Sequence, residues 1–94
     1  MRPRYSLDRA NALADFVAST RGVNHVIASA ANMIEMWTTR WSAAEAAREL
    51  DLLRATGLNS VRIFLSFEAW EGGSAMMTHV AEYLKLCADR DVRV

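Results

Sequence analysis

The sequence predicts an α/β fold, in which parallel strands are each followed by a covering helix, and three observations predict it. Gly57-Leu58-Asn59-Ser60-Val61-Arg62-Ile63-Phe64-Leu65 is a β-branched and aromatic run with a Gly-Leu-Asn entry. A helical pattern lies on each side of it, and helix, strand, loop, helix in so short a chain is the order of a β/α unit. Residue parity then sorts the run. Val61, Ile63 and Leu65 point one way and are apolar, as a helix-covered face requires, while Ser60, Arg62 and Phe64 point the other. An arginine near the carboxyl end of a buried strand is costly unless a carboxylate meets it, and the neighbouring sequence offers no obvious one.

The elements follow in order. Ser6 can cap a first helix over about Leu7 to Ser19, whose Ala10, Leu13, Ala14 and Val17 form one apolar stripe. Gly22 ends it, and Val23-Asn24-His25-Val26-Ile27 has strand composition. Ala28 to Trp41 reads as a long polar and aromatic loop. Ser42-Ala43-Ala44-Glu45 is a capping box, in which the Ser42 hydroxyl accepts from the third helical N–H and Glu45 returns the bond. The second helix runs to about Thr56, buries Ala46, Ala47, Leu50 and Leu53, and stops at Gly57, which can take the left-handed conformation. After the central strand, Ser66 to Gly73 is a second loop. A third helix starts at Ser74 and runs to about Asp89, with Met77, Val80, Ala81, Leu84 and Cys87 as its apolar face. Asp91-Val92-Arg93-Val94 opens a further strand, and right-handed crossovers set the three strands side by side in a parallel sheet.

The totals bound what this fold can do. A chain of 94 residues makes one small domain that buries about two-thirds of its unfolded surface. Eleven basic side chains, ten of them Arg, balance eleven acidic ones, so no net field recruits nucleic acid or an anionic membrane. Cys87 is the single cysteine, which forbids an internal disulfide, is compatible with a reducing compartment, and suits a buried helix position. Charged residues interrupt the N-terminal twenty, which leaves no signal-peptide core, and no run approaches the roughly 18 apolar residues of a membrane span. These readings describe a cytoplasmic protein. No repeat, low-complexity tract or linker divides the chain, and its one proline, Pro3, lies in the N-terminal tail.

In β/α architectures, chemistry sits in the loops after the carboxyl ends of the strands. The first such loop holds Asn32, Glu35, Trp37 and Trp41, and the second holds Glu68, Trp70 and Glu71. Indole faces with amides and carboxylates suit sugars, which stack their C–H faces and need oriented donors and acceptors for their hydroxyls. Equally, Trp37 and Trp41 can staple the loop to the helices. Gly72-Gly73-Ser74 at a helix start could hold an anion, but it lacks the longer glycine fingerprint and Glu71 would repel phosphate, so a turn into a helix cap is favoured. His25 and His79 have no ligand-spaced partner, so no metal is expected, and no cofactor motif is present. Met33, Met36, Met76 and Met77 read as gap-filling packing.

Gly22-Val23-Asn24, then Asn32-Met33-Ile34-Glu35-Met36-Trp37, then Arg48-Glu49-Leu50, then the Gly57 to Leu65 run and Trp70 together resemble the start of a bacterial cellulase-like glycoside hydrolase. The nearest kin are family 5-type (β/α)8 barrels, often labelled β-xylanase or cellulase. The resemblance covers about Tyr5 to Val94, with Ile27-Ala28 where such proteins tend to carry Pro-Ser and His25 in place of a usual aromatic. It implies that residues 1–94 are the N-terminal portion of a TIM barrel: an N-terminal helix, two strand–helix units and the start of a third strand. It also implies a retaining glycosidase acting on a β-glycan or oligosaccharide, with an acid/base glutamate after the fourth strand, a nucleophile glutamate after the seventh, and the remainder of the barrel as partner. No catalytic carboxylate is then expected in this stretch. What carries over is Arg62 beside the nucleophile, with Asn32, Glu35, Trp37 and Trp70 as substrate-binding residues. The other reading is a small noncatalytic α/β module for carbohydrate binding or protein interaction.

Overall fold

A computed structural model describes residues 4–71, 73 and 75–94. Pro3 and the expected turn and cap residues Gly72 and Ser74 lie outside the described residues. The fold is mixed α/β, mostly helical, around a two-stranded parallel sheet.

Helix α1 spans Leu7–Ala18, and the Ser6 hydroxyl accepts the Arg9 N–H at 3.2 Å, as its capping sequence predicts. Strand β1, Gly22–Asn24, pairs in parallel with β2, Ser60–Arg62, placing Gly22 opposite Ser60, Val23 opposite Val61 and Asn24 opposite Arg62. Glycine is needed at the first of these pairs, because a Cβ on Gly22 would stand 2.9 Å from the Ser60 carbonyl oxygen. Both strands are shorter than their sequence runs. Past Arg62 the chain leaves the ladder, and the Phe64 carbonyl accepts the Trp37 indole N–H at 2.9 Å instead of a strand neighbour. Arg93 then forms a parallel bridge to Ser60, with its N–H on the Asn59 carbonyl and its carbonyl accepting from Val61 N–H, both at 2.8 Å. The third extended segment thus begins beside β2, on the side away from β1.

The two expected loops each contain a helical turn. Helix α2, Met33–Trp37, is capped by Asn32, whose side-chain oxygen accepts the Glu35 N–H at 2.9 Å. Helix α4, Phe67–Glu71, begins where the Ser66 hydroxyl accepts the Ala69 N–H at 3.3 Å. Five-residue helices are too short to show a 3.6-residue period, and they persist here because α2 packs against both α4 and the last helix.

Helix α3 spans Ala43–Ala55 and buries Ala46, Leu50 and Leu53, while Ala47 is half-buried. Only half of its capping box forms. Ser42 accepts the Glu45 N–H at 3.2 Å, but the Glu45 carboxylate turns to Ser29, taking its N–H at 2.8 Å and its hydroxyl at 2.7 Å. Gly57 closes the helix at φ +89°. Helix α5 spans Ala75–Asp89 and presents a face rotated from the expected one. Met76, Tyr83 and Cys87 are buried with Val80 half-buried, whereas Met77, Ala81 and Leu84 face solvent. Tyr83 sets this rotation, because its ring meets Trp37 edge-on at 5.5 Å and its hydroxyl reaches a partner inside the core.

The core lies between α3, α5 and one face of the sheet, with Ile27, Met36, Trp37, Leu50 and Tyr83 fully buried. Helix α1 stands apart from it. None of its residues is buried, and Leu13 and Val17 of the expected stripe are exposed. Its C-terminal end is pinned instead: Arg93 donates to the Phe16 carbonyl, Ser19 Oγ and Thr20 Oγ1, and its guanidinium lies 3.9 Å from the Phe16 ring centroid. A cation suits a helix C-terminus, where the last carbonyls are unsatisfied. The radius of gyration is 15.7 Å. A compact chain of this length would have about 12 Å. No helix among the described residues is long and apolar enough to cross a membrane.

Candidate functional site

The carboxyl ends of β1 and β2 hold Asn24 and Arg62, and the Trp37 indole reaches the chain just beyond β2. Alternation along the strands sends Val61 toward the helices and places Asn24 and Arg62, which are register partners, on the open face. Arg62 is exposed there, so it does not carry the desolvation cost expected of a buried strand arginine. Its partner is an amide rather than a carboxylate: Nε donates to Asn24 Oδ1 at 2.9 Å. The guanidinium carbon lies 5.1 Å from the centroid of the Phe64 ring, within cation–π range.

The first loop brings its residues together unevenly. Asn32 is the cap of α2, and Glu35 accepts the Ala31 N–H at 3.2 Å and lies 4.0 Å from Arg40 Nε. Trp37 points the other way from its expected substrate-stacking role. It is fully buried, stacked on Trp41 with centroids 5.7 Å apart and in a T-shaped contact with Tyr83, so the indole offers no surface to a sugar. Its indole N–H on the Phe64 carbonyl ties α2 to the end of β2. Trp70 does face solvent, at 53% exposure, and lines a groove of about 350 Å³ with Leu65, Phe67, Met76, Met77 and Val80.

One cluster was not anticipated from the sequence. His25 is buried, with Nδ1 2.7 Å from Tyr83 Oη and Nε2 2.9 Å from Glu49 Oε1, while Glu49 Oε2 accepts the Ala28 N–H at 3.0 Å. Burial, followed by the neighbouring Cys87 and Glu49, pushes the Tyr83 hydroxyl well above its ordinary value, so it keeps its proton and serves as donor. A Tyr83 O–H given to Nδ1 leaves the Nε2–H for the Glu49 carboxylate, and every polar atom in the cluster is satisfied. The cluster joins the end of β1 to α3 and α5. Two weak signals pointed to it: His25 shares parity with Val23 and Ile27, and Glu49 flanks the buried Leu50. His79 is likewise engaged, with Nδ1 2.8 Å from the Trp37 carbonyl oxygen and its ring stacked on Trp41.

Glu68 is ill-suited to proton donation. Its own backbone N–H, then the Ser66 hydroxyl, hold the exposed Glu68 carboxyl below the usual carboxylate range. A group held ionised is in the wrong state for a general acid. Among the described residues, no three His, Cys, Asp or Glu side chains assemble a metal site. What the arrangement offers is a fixed cation at a strand end, an amide beside it and an exposed indole nearby. No protein-family model, curated protein or solved structure matches the chain.

Proposed function

We propose that residues 1–94 form the N-terminal part of a (β/α)8 barrel that hydrolyses β-linked glycans with retention of configuration. The observation that carries this reading is Arg62, exposed at the carboxyl end of a parallel strand and oriented by Asn24 on the open face. The third segment starting in parallel beside β2 supports the barrel. In a retaining glycosidase two carboxyl groups stand about 5–5.5 Å apart, one attacking the anomeric carbon and the other protonating the leaving oxygen. Arg62 keeps the attacking carboxylate ionised, because a nearby cation lowers its pKa, and the planar fork fixes its orientation. Asn32, Glu35 and Trp70 contribute to the substrate side. Trp37 supports them from within the core. Neither catalytic glutamate belongs to this stretch, so further β/α units must supply both.

The test compares the 94-residue chain with a longer product of the same reading frame on an aryl β-glycoside. The longer protein should release product with the β configuration, followed by NMR of the fresh anomer, and the 94 residues alone should release none. Turnover by the 94 residues, abolished by Glu35→Gln or Glu68→Gln, would overturn the proposal. The exposed Trp70 beside its groove favours the second reading, a noncatalytic carbohydrate-binding or interaction module. Quenching of Trp70 fluorescence by oligosaccharide in the 94-residue chain, without hydrolysis in any longer form, would select it.

A further inference from the structure

We propose that Tyr83 and His25 form a buried one-electron redox site: an outer-sphere oxidant meeting the surface at Trp41 takes an electron from Tyr83 by way of Trp37, and the Tyr83 proton passes to His25 Nδ1. The site owes nothing to glycoside chemistry. A phenol that has lost an electron is a strong acid, so tyrosine oxidation is easy only where a base already waits for the O–H proton. His25 Nδ1 stands 2.7 Å from Tyr83 Oη, and both residues are buried. Nδ1 is the free base of the ring, because Nε2 keeps its proton for Glu49 Oε1 at 2.9 Å. Burial holds the resting phenol in its protonated form, so the proton leaves Tyr83 only together with the electron. After the transfer the Glu49 carboxylate faces an imidazolium, with its second oxygen still held by the Ala28 N–H at 3.0 Å. Oxidation therefore turns a partly buried carboxylate beside two neutral rings into an ion pair beside a neutral radical, which removes net charge from the interior rather than adding it.

Tyr83 is fully buried, so no oxidant can touch it directly. Its ring is the inner end of a series of aromatic contacts. Tyr83 meets Trp37 at 5.5 Å between centroids, Trp37 stacks on Trp41 at 5.7 Å, and Trp41 lies 6.2 Å from Tyr83 itself. These are ordinary separations for aromatic pairs in contact, and rings in contact exchange electrons readily. Trp41 is the half-buried member, and there the series meets solvent. Trp37 cannot trap the oxidising equivalent. Its indole N–H is given to the Phe64 carbonyl, which is no base for the proton of an oxidised indole. The Trp41 N–H does meet a carboxylate, Glu82, but at a longer 3.3 Å. Tyr83, with its base at 2.7 Å, is where the missing electron comes to rest. In the balance one electron passes to the oxidant, the Tyr83 O–H bond breaks, an N–H bond forms at His25 Nδ1, and a neutral phenoxyl radical is left on Tyr83.

The experiment generates tris(bipyridine)ruthenium(III), a one-electron oxidant, by a laser flash in a dilute solution of the 94-residue chain. The radical is identified by freeze-quench electron paramagnetic resonance and timed by transient absorption. The other tyrosine, Tyr5, is exposed, and Tyr5→Phe leaves Tyr83 as the only phenol. A tyrosyl signal should form in wild type and in Tyr5→Phe, arise more slowly in D2O, and be lost in Tyr83→Phe. His25→Asn keeps an acceptor near the Nδ1 position but no base, and should slow the tyrosyl signal by on the order of 10²-fold, the effect of a positioned base. Trp41→Phe should slow it too, while Trp70→Phe, with an exposed indole outside the series, should not. A merely structural hydrogen bond between Tyr83 and His25 would move none of these readouts. Tryptophan radicals alone in wild type, a tyrosyl signal missing from Tyr5→Phe, equal rates in wild type and His25→Asn, or equal rates in Trp41→Phe and Trp70→Phe overturns the proposal. If His25→Asn loses the near-UV signal of the Trp37–Tyr83 core, the isotope effect decides in its place: a wild-type rate unchanged in D2O means that no proton moves with the electron and refutes the site.

Discussion

On the helix-covered side of β1 and β2, Ile27 and Val61 are buried, and His25 is held between α3 and α5 with both ring nitrogens paired. On the other side of the same strands, Asn24, Arg62 and Phe64 stand in solvent, and α1 buries none of its residues. The difference teaches how labour is divided. The covered side supplies stability and fixes the strand ends; the open side carries a cation that stability does not require. Side chains on the first side should therefore govern folding, and those on the second should govern only what the molecule meets.

The largest expected effect concerns the exposed apolar side chains. Leu13, Val17, Phe64, Leu65, Phe67 and Trp70 are all exposed in one small chain, and exposed apolar surface drives association. The isolated 94 residues should bind a hydrophobic dye and melt broadly, with the apparent size rising with concentration in light scattering. A sharp cooperative transition in a dilute monomer without dye binding would show that the chain is self-sufficient.

Next comes a pair of tryptophans. Trp37→Ala empties a fully buried site and should cost about 3–5 kcal/mol, a large share of the roughly 5–14 kcal/mol available to a chain this size. Trp70→Ala, at a half-exposed indole, should change stability by less than about 0.5 kcal/mol. Urea midpoints for the two variants decide this, and equal shifts would erase the distinction between buried and exposed indoles.

Tyr83→Phe is a smaller change, since it removes one oxygen and leaves His25 Nδ1 buried without its partner. A loss of about 1–3 kcal/mol in the same unfolding assay is expected, with the aromatic packing on Trp37 retained. No loss would mean that the cluster is reached by water.

The smallest effect is acid dependence. The Ser29 hydroxyl, then its N–H, hold the exposed Glu45 carboxyl below its ordinary value of 4.5. For a depressed carboxylate the folded state binds fewer protons than the unfolded one near that value, so the contribution is present above it and fades as pH falls through the folded pKa. Glu45→Gln should flatten the stability curve in that acid window and lower stability slightly at neutral pH, where the ionised carboxylate makes its contribution. Cys87 has the opposite sign: burial raises its thiol pKa above 9.0, so stability falls as pH climbs past 9.0 and the unfolded thiol ionises first.

What could be read from the sequence divides along range. Ser6, Ser42 and Gly57 mark helix ends through contacts within a few residues, and those ends lie where the residues place them. The parity of Arg62 was equally local and put it on the open face. The rest depended on distance. Tyr83 and His25 are 58 residues apart and Glu49 is 24 from His25, so no window of sequence could rotate α5 to bring the phenol inward. Asn24, 38 residues from Arg62, became its partner only through strand register. Trp37 illustrates a different limit, since an indole has the same apolar character as a core residue or as a sugar platform. The five-residue helices α2 and α4 needed tertiary packing to exist at all.

Arg62 is where the proposed function can be tested most directly, in a longer product of the same reading frame assayed on a β-glycoside. If the proposal holds, Arg62→Ala should lower the rate of the chemical step with the fold intact and move the acidic limb of the kcat/KM profile to higher pH, because the proposed nucleophile would lose the cation that keeps it ionised. Arg62→Lys should restore the position of that limb while the rate stays impaired, since it keeps charge and loses the fork. Wild-type turnover and an unmoved acidic limb in Arg62→Ala would contradict the account, leaving Arg62 a surface residue of the sheet.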